Sequence, residues 1–83
     1  MDRKQLIDKL GEIIKPYAQN PEALANLSEE SDFLKDLKIN SAHLVDIILD
    51  AEDAFDIEID DDSAEQMLTV GAAIDIILKK AEG

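Results

Sequence analysis

Asn40-Ser41-Ala42-His43-Leu44-Val45-Asp46-Ile47-Ile48-Leu49-Asp50-Ala51-Glu52-Asp53-Ala54-Phe55 decides the fold, because it has the pattern of a capped amphipathic helix. Asn40 or Ser41 suits the N-cap, where a short side-chain oxygen accepts from a free N–H of the first turn. Val45, Ile48, Ala51 or Glu52, and Phe55 recur three or four residues apart, the spacing of one helical face. Leu44, Ile47 and Leu49 widen the apolar surface. Asp46, Asp50, Glu52 and Asp53 supply an acidic face, and the pattern fades after Phe55.

Working outward, the same spacing recurs on both sides. Leu6, Ile7, Leu10, Ile13, Ile14 and Tyr17 fall on one face of a first helix. Asp2 is placed to cap it, and Pro16 ends it near Lys15. Residues 16–40 form a long connection interrupted by Pro21, with a short helical turn expected near 21–26. Its Leu24, Leu27, Phe33, Leu34 and Leu37 are spaced irregularly, as anchors that pin a loop to a core. A connection this long in a small domain is often functional.

Beyond Phe55, residues 56–60 alternate like a strand. No partner strand exists in the sequence, so an extended loop is expected. A short helix follows at 62–66. Thr69 then caps a last helix with Val70, Ala73, Ile74, Ile77 and Leu78 on one face. Lys79 and Lys80 lie at its C-terminus, where positive charge suits the helix dipole. The expected fold is all-α: one domain over 1–83, a small four-helix bundle of three main helices plus one short helix, with a long loop between helices one and two.

Composition narrows the function. The 83 residues, 46% of them hydrophobic, support one small core and leave little room for a deep enzyme pocket. There is no Cys, which excludes disulfides, thiolate metal sites and a thiol nucleophile of the chain's own. No apolar run is long enough to span a membrane and no secretory signal is visible, so a cytoplasmic protein is expected. Twenty acids against eight bases give a net charge of -12, which argues against nucleic acid and anionic membranes as partners. Residues 39–78 hold eleven acids and no Lys or Arg. Such a field attracts basic partners.

The candidate constellations fail one by one. An EF-hand loop starting at Asp56 would need Gly at its sixth position and Glu at its twelfth, where Asp61 and Met67 stand. Ser41 and His43 lie two apart on a helix, pointing about 200° away from each other, so they form no dyad. His43 is expected on the solvated helix surface. Nothing marks a buried acid–base pair, and neither a catalytic residue nor a metal site is expected. Ser41 stands out by position, where the long loop meets the positive end of the second helix; there free backbone N–H groups would favour a phosphate ester.

Three stretches carry a resemblance. They are Asp32-Phe33-Leu34-Lys35-Asp36-Leu37-Lys38-Ile39-Asn40-Ser41 with Leu44-Val45-Asp46, then Glu52-Asp53-Ala54-Phe55-Asp56-Ile57-Glu58-Ile59, then Leu68-Thr69-Val70-Gly71-Ala72-Ala73-Ile74-Asp75. Together they resemble the acyl carrier proteins, the phosphopantetheine-binding family, over nearly the whole chain. The resemblance implies a stand-alone, monomeric carrier whose Ser41 receives 4'-phosphopantetheine from coenzyme A by the action of a phosphopantetheinyl transferase. The arm's thiol would hold acyl groups as thioesters for fatty-acid, lipid or polyketide-type enzymes. Acyl-loading and synthase enzymes with basic docking patches would be the partners, meeting Ala42, Asp46, Leu49, Glu52 and Asp53.

Family members usually carry Asp-Ser-Leu at the attachment point, whereas this chain has Asn40-Ser41-Ala42. Asn40 keeps the capping ability but lacks the charge that helps a transferase hold its magnesium ion. Ala42 lacks an apolar contact, and His43 stands where many members have an acid. These departures point to a specialised carrier. An aminoacyl or D-alanyl carrier, or an unmodified acidic interaction module, are the alternatives.

Overall fold

The computed structural model describes residues 2–81. Three long helices carry the fold: α1 (Arg3–Ile14), α3 (Leu44–Phe55) and α5 (Val70–Ala81). Two short helices, α2 (Pro21–Ala25) and α4 (Asp61–Glu65), sit in the connections, and a 3-10 turn (Ser41–His43) leads into α3. The expected helical bundle is therefore present, with the turn near 21–26 formed as α2.

Each start follows from a local signal. Asp2 and Gln5 close a capping box on α1, the Asp2 carboxylate accepting from the Gln5 N–H at 2.8 Å. Asn20 caps α2, whose first residue is Pro21. Thr69 Oγ1 accepts from Ala72 N–H at 3.2 Å at the head of α5.

Leu6, Leu10 and Ile14 of α1 are fully buried, and α1 packs against both α3 and α5. From α3, Ile47 and Ala51 enter the core; from α5, Val70, Ala73, Ile74, Ile76 and Ile77 do. The buried stripe of α3, with Leu44, Ile48 and Phe55 half-buried beside it, keeps Ile48, Ala51 and Phe55 of the expected face and takes Leu44 and Ile47 in place of Val45. Val45, expected inside, is 61% exposed. The offsets 0, 3, 4, 7 and 11 from Leu44 fit one helical face better than any series through Val45.

The long connection is a structural part of the core. Phe33, Leu37 and Ile39 are buried in it, whereas Leu34 lies outside. The segment also serves α5, whose first N–H groups have no partner within the helix. Val70 N–H donates to the Ser31 carbonyl at 3.0 Å and Gly71 N–H to the Glu29 carbonyl at 2.9 Å. An isolated bridge between Asp32 and Thr69 and a bond from Phe33 N–H to the Leu68 carbonyl at 3.1 Å extend the contact. Backbone meets backbone so closely that a Cβ on residue 71 would lie 2.9 Å from the Glu29 carbonyl oxygen, which explains Gly71. Arg3 of α1 pairs with both Glu29 and Asp75, binding this loop to α1 and α5. The two carboxylates raise the Arg3 pKa, and Arg3 in turn lowers that of Glu29.

Residues 57–60 form a loop with no regular structure, as expected, whereas Asp56 at its start is not extended. Asp56 adopts the left-handed conformation (φ 55°) that ends α3, with the Asp56 and Ile57 N–H groups both donating to the Glu52 carbonyl. Asp60, 3.0 Å from Lys80, closes the segment onto α5. The Ser63 side chain, Lys80 and its own backbone bring its pKa down to about 2.

Asp56 thus holds the position that favours glycine, and its negative charge opposes the helix dipole. Asp56→Gly is expected to raise stability by about 0.5–1 kcal/mol, the left-handed penalty less the extra chain entropy of Gly. A thermal melt checks this; a lower melting temperature refutes it.

Candidate functional site

The sequence left the cap of the second helix open between Asn40 and Ser41, and the structure assigns it to Asn40. Its extended backbone (φ -64°, ψ 133°) lets Oδ1 accept from Ala42 N–H at 2.9 Å, while its carbonyl accepts from His43 N–H at 2.8 Å. The Leu44 N–H donates to the Ser41 carbonyl, and α3 continues from there. Ser41 is thereby released from capping, and it is exposed. The expected supply of free N–H groups beside it is smaller than foreseen, because Asn40 occupies those of Ala42 and His43. What remains is the positive end of the α3 dipole.

The turn is held from both sides. On one side, Ile39 is buried and its N–H donates to the Phe33 carbonyl at 3.0 Å. Between them Lys38 takes a left-handed conformation (φ 58°), turning the chain out of the core towards Ser41. On the other side, the His43 ring lies 5.3 Å from that of Tyr17, at an interplanar angle of 36°. Its Nδ1 is 3.5 Å from Asp46 Oδ2. His43 is exposed, as expected, and has in addition a neighbour on each side. Tyr17 lies beyond the end of α1, where its hydroxyl donates to Asp50 Oδ2 at 3.1 Å. That bond, with partial burial and the charges of Asp50 and Asp46, raises the Tyr17 pKa.

From Ser41 an exposed stripe descends along α3. Ala42, Val45, Asp46, Leu49 and Asp53 lie three or four residues apart on it, with Leu49 56% exposed. Val45 joins them because the core side of the helix runs through Leu44 and Ile47; the sequence signal was its poor fit to that series. Glu52 stands apart from the stripe. It is half-buried, and its Oε2 accepts from the Ile59 N–H at 2.7 Å, bracing the loop after α3. Among the described residues no group of three or more His, Asp or Glu is placed to hold a metal ion. No helix among them is long and apolar enough to cross a membrane.

No family model matches the chain. Individual proteins do. It is 34% identical to an acyl carrier protein of Rubrobacter xylanophilus over 79 residues, 95% of each chain. It is 50% identical to one from Desulforapulum autotrophicum over 52 residues, 63% of this chain and 68% of that one. The fold is similar to the crystal structure of the acyl carrier protein of Thermotoga maritima, with a TM-score of 0.81 at 34% identity, covering 99% of this chain and 93% of that one. With an exposed serine at the head of its acidic helix and relatives matched over more than nine-tenths of both chains, the chain belongs to the acyl carrier protein family.

Proposed function

We propose that Ser41 is the attachment residue for 4'-phosphopantetheine and that the protein carries acyl intermediates in the cytoplasm to fatty-acid, lipid or polyketide-type biosynthetic enzymes. The family is one of carriers and not of catalysts. The observation that carries the proposal is the exposed Ser41 hydroxyl, relieved of capping by Asn40 at the positive end of α3. The residues present fit the group: Ser41 is exposed, Ala42 beside it is small, and the helix dipole favours a phosphodiester there. When bound, the group supplies the thiol that this Cys-free chain lacks and carries acyl groups as thioesters.

In the transfer, Ser41 Oγ attacks the phosphorus on the pantetheine side of the coenzyme A pyrophosphate. The bond to the other phosphate breaks, adenosine 3',5'-bisphosphate leaves with the electron pair, and the hydroxyl proton passes to a base of the transferase. The folded domain then tethers the cargo and raises its effective concentration at each partner. Incubation with coenzyme A and a phosphopantetheinyl transferase, followed by intact-mass measurement, tests the proposal. A phosphopantetheine adduct supports it; a folded protein without one supports an unmodified interaction module.

Asn40 bears on which transferase acts. An Asp would cap the turn equally well and add a carboxylate near the reacting hydroxyl and the transferase's metal ion. Asn40→Asp is therefore expected to raise the modification rate several-fold with a general-purpose transferase at unchanged stability. An unchanged or lower rate would point to a dedicated enzyme that reads the amide. With Ala42 and His43, Asn40 supports a specialised carrier.

The stripe of Ala42, Val45, Asp46, Leu49 and Asp53 is the docking face, apolar side chains giving contact and carboxylates steering basic partners. Such contacts form fast and stay weak, as a carrier that must leave each enzyme requires. Glu52, engaged with Ile59, contributes by bracing the helix end more than by contact. Asp46→Lys is expected to lower kcat/KM for modification or acyl transfer by about tenfold at low salt, with the difference shrinking as salt screens it. Equal rates at low salt, with the fold intact by circular dichroism, would remove Asp46 from the face.

A further inference from the structure

The turn that carries Ser41 hangs between two anchors. Upstream, Ile39 is buried. Downstream, α3 starts without a side-chain cap, His43 occupying the N-cap position with no capping hydrogen bond. Ser41 and Ala42, between the anchors, are both exposed. The turn's internal bonds all run among Asn40, Ser41, Ala42, His43 and Leu44, so they fix its shape but not its orientation on the domain. Ile39 and Leu44 hold the turn's two ends to the core and Asp46 lies 3.5 Å from His43 Nδ1; the contact made on the turn by a separate element is that of the Tyr17 ring with His43.

Tyr17 is itself fixed at three points. Its N–H donates to the Ile14 carbonyl at 2.9 Å, anchoring it to the end of α1. Its hydroxyl reaches Asp50, on α3 beyond the turn. Its neighbours bind the strand of chain leading to the turn: Gln19 N–H donates to the Leu37 carbonyl at 3.1 Å and Asn20 Nδ2 to the Asp36 carbonyl at 2.9 Å. The segment after α1 is thus a bracket, and Tyr17 is where it meets the Ser41 turn.

We infer that Tyr17, acting through the His43 ring, is a positioning residue that sets the direction of the Ser41 hydroxyl for group transfer. The inference rests on Ser41 being the attachment residue. All of the docking stripe but Ala42 lies on α3 below the turn, so losing the ring contact leaves encounter with the transferase largely intact and misaligns the attacking oxygen afterwards. A displacement of about 1 Å at a reacting atom costs up to about a hundredfold in rate.

The test is steady-state modification by a phosphopantetheinyl transferase with coenzyme A, comparing wild type with Tyr17→Leu, Tyr17→Phe, His43→Ala and the double variant Tyr17→Leu/His43→Ala. Circular dichroism confirms each fold. Tyr17→Leu and His43→Ala are each expected to lower kcat about tenfold with KM within about twofold, the double variant no more than either single one. Tyr17→Phe keeps the ring and is expected to retain wild-type kcat within about twofold. Unchanged kcat in the folded single variants, a loss confined to KM, or multiplying losses in the double variant would each overturn the inference. Failure of wild type itself to accept the group would instead remove Ser41 as the attachment residue, so the two failures are distinct.

Discussion

Ser41→Ala is expected to take up no phosphopantetheine and to melt close to wild type. The two halves of this result have separate causes. If Ser41 is the attachment residue, transfer needs its hydroxyl oxygen as nucleophile, and a methyl group offers none, so loss of the adduct should be complete rather than partial. Stability is spared because Asn40, not Ser41, accepts from the Ala42 N–H. An exposed Ser that makes no cap is replaced at a cost within about 0.5 kcal/mol. Asn40→Ala gives the converse control, losing about 1 kcal/mol with the cap while keeping the nucleophile. Intact mass and a thermal melt on the same samples read both properties. An adduct on Ser41→Ala would place the attachment elsewhere; an unfolded Ser41→Ala would show that the hydroxyl holds the turn.

That Asn40 takes the cap and leaves the Ser41 hydroxyl exposed could not be read from the sequence, since either residue type caps a helix equally well. Helix existence was legible, because the 3.6-residue repeat in α1 and α5 buries a continuous face, and Asp2 and Thr69 cap where their types suggested. The edge of the buried face of α3 was not. That helix is apolar around most of its circumference, and only packing against α1 decides that Ile47 goes in and Val45 stays out. The irregular spacing of Leu24, Leu27, Phe33, Leu34 and Leu37 marked them as anchors but gave no hint that Leu34 stays outside, that Ile39 is buried, or that the Glu29 and Ser31 carbonyls cap α5, a backbone contact that leaves no side-chain signature except Gly71. Glu52 looked like part of an acidic face because its carboxylate was counted with those of Asp46 and Asp53; its bond to the Ile59 N–H depends on the left-handed turn at Asp56. Tyr17 fitted the first helix by spacing, yet Pro16 lets it leave the helix and reach His43.

Phe33→Ala is expected to be the most damaging single change to the fold. Phe33 is 1% exposed, the largest of the fully buried side chains, and lies in a loop rather than a helix. Truncating such a ring costs about 3–5 kcal/mol through lost burial and the cavity left behind. A domain of this size has a total stability of only about 4–12 kcal/mol, so the change removes a large share of it. The melting temperature should fall by about 15–30 °C. Leu34, the next residue, is 38% exposed, and Leu34→Ala should stay within about 0.5 kcal/mol of wild type, which separates burial from hydrophobicity. The damage has a direction as well as a size. Phe33 bonds to the chain on both sides, its N–H to the Leu68 carbonyl and its carbonyl to the Ile39 N–H, so loosening it frees the segment that caps α5 and the segment that leads to Ser41. Amide hydrogen exchange reads this locally. Val70 and Gly71, whose N–H groups donate to Ser31 and Glu29, should exchange faster in Phe33→Ala than the mid-helix amides of α1 under conditions where the variant remains folded. If Phe33→Ala melts within about 1 kcal/mol of wild type, far below the cost of a buried ring, then the loop is not held by its side chain and the backbone bonds to α5 suffice.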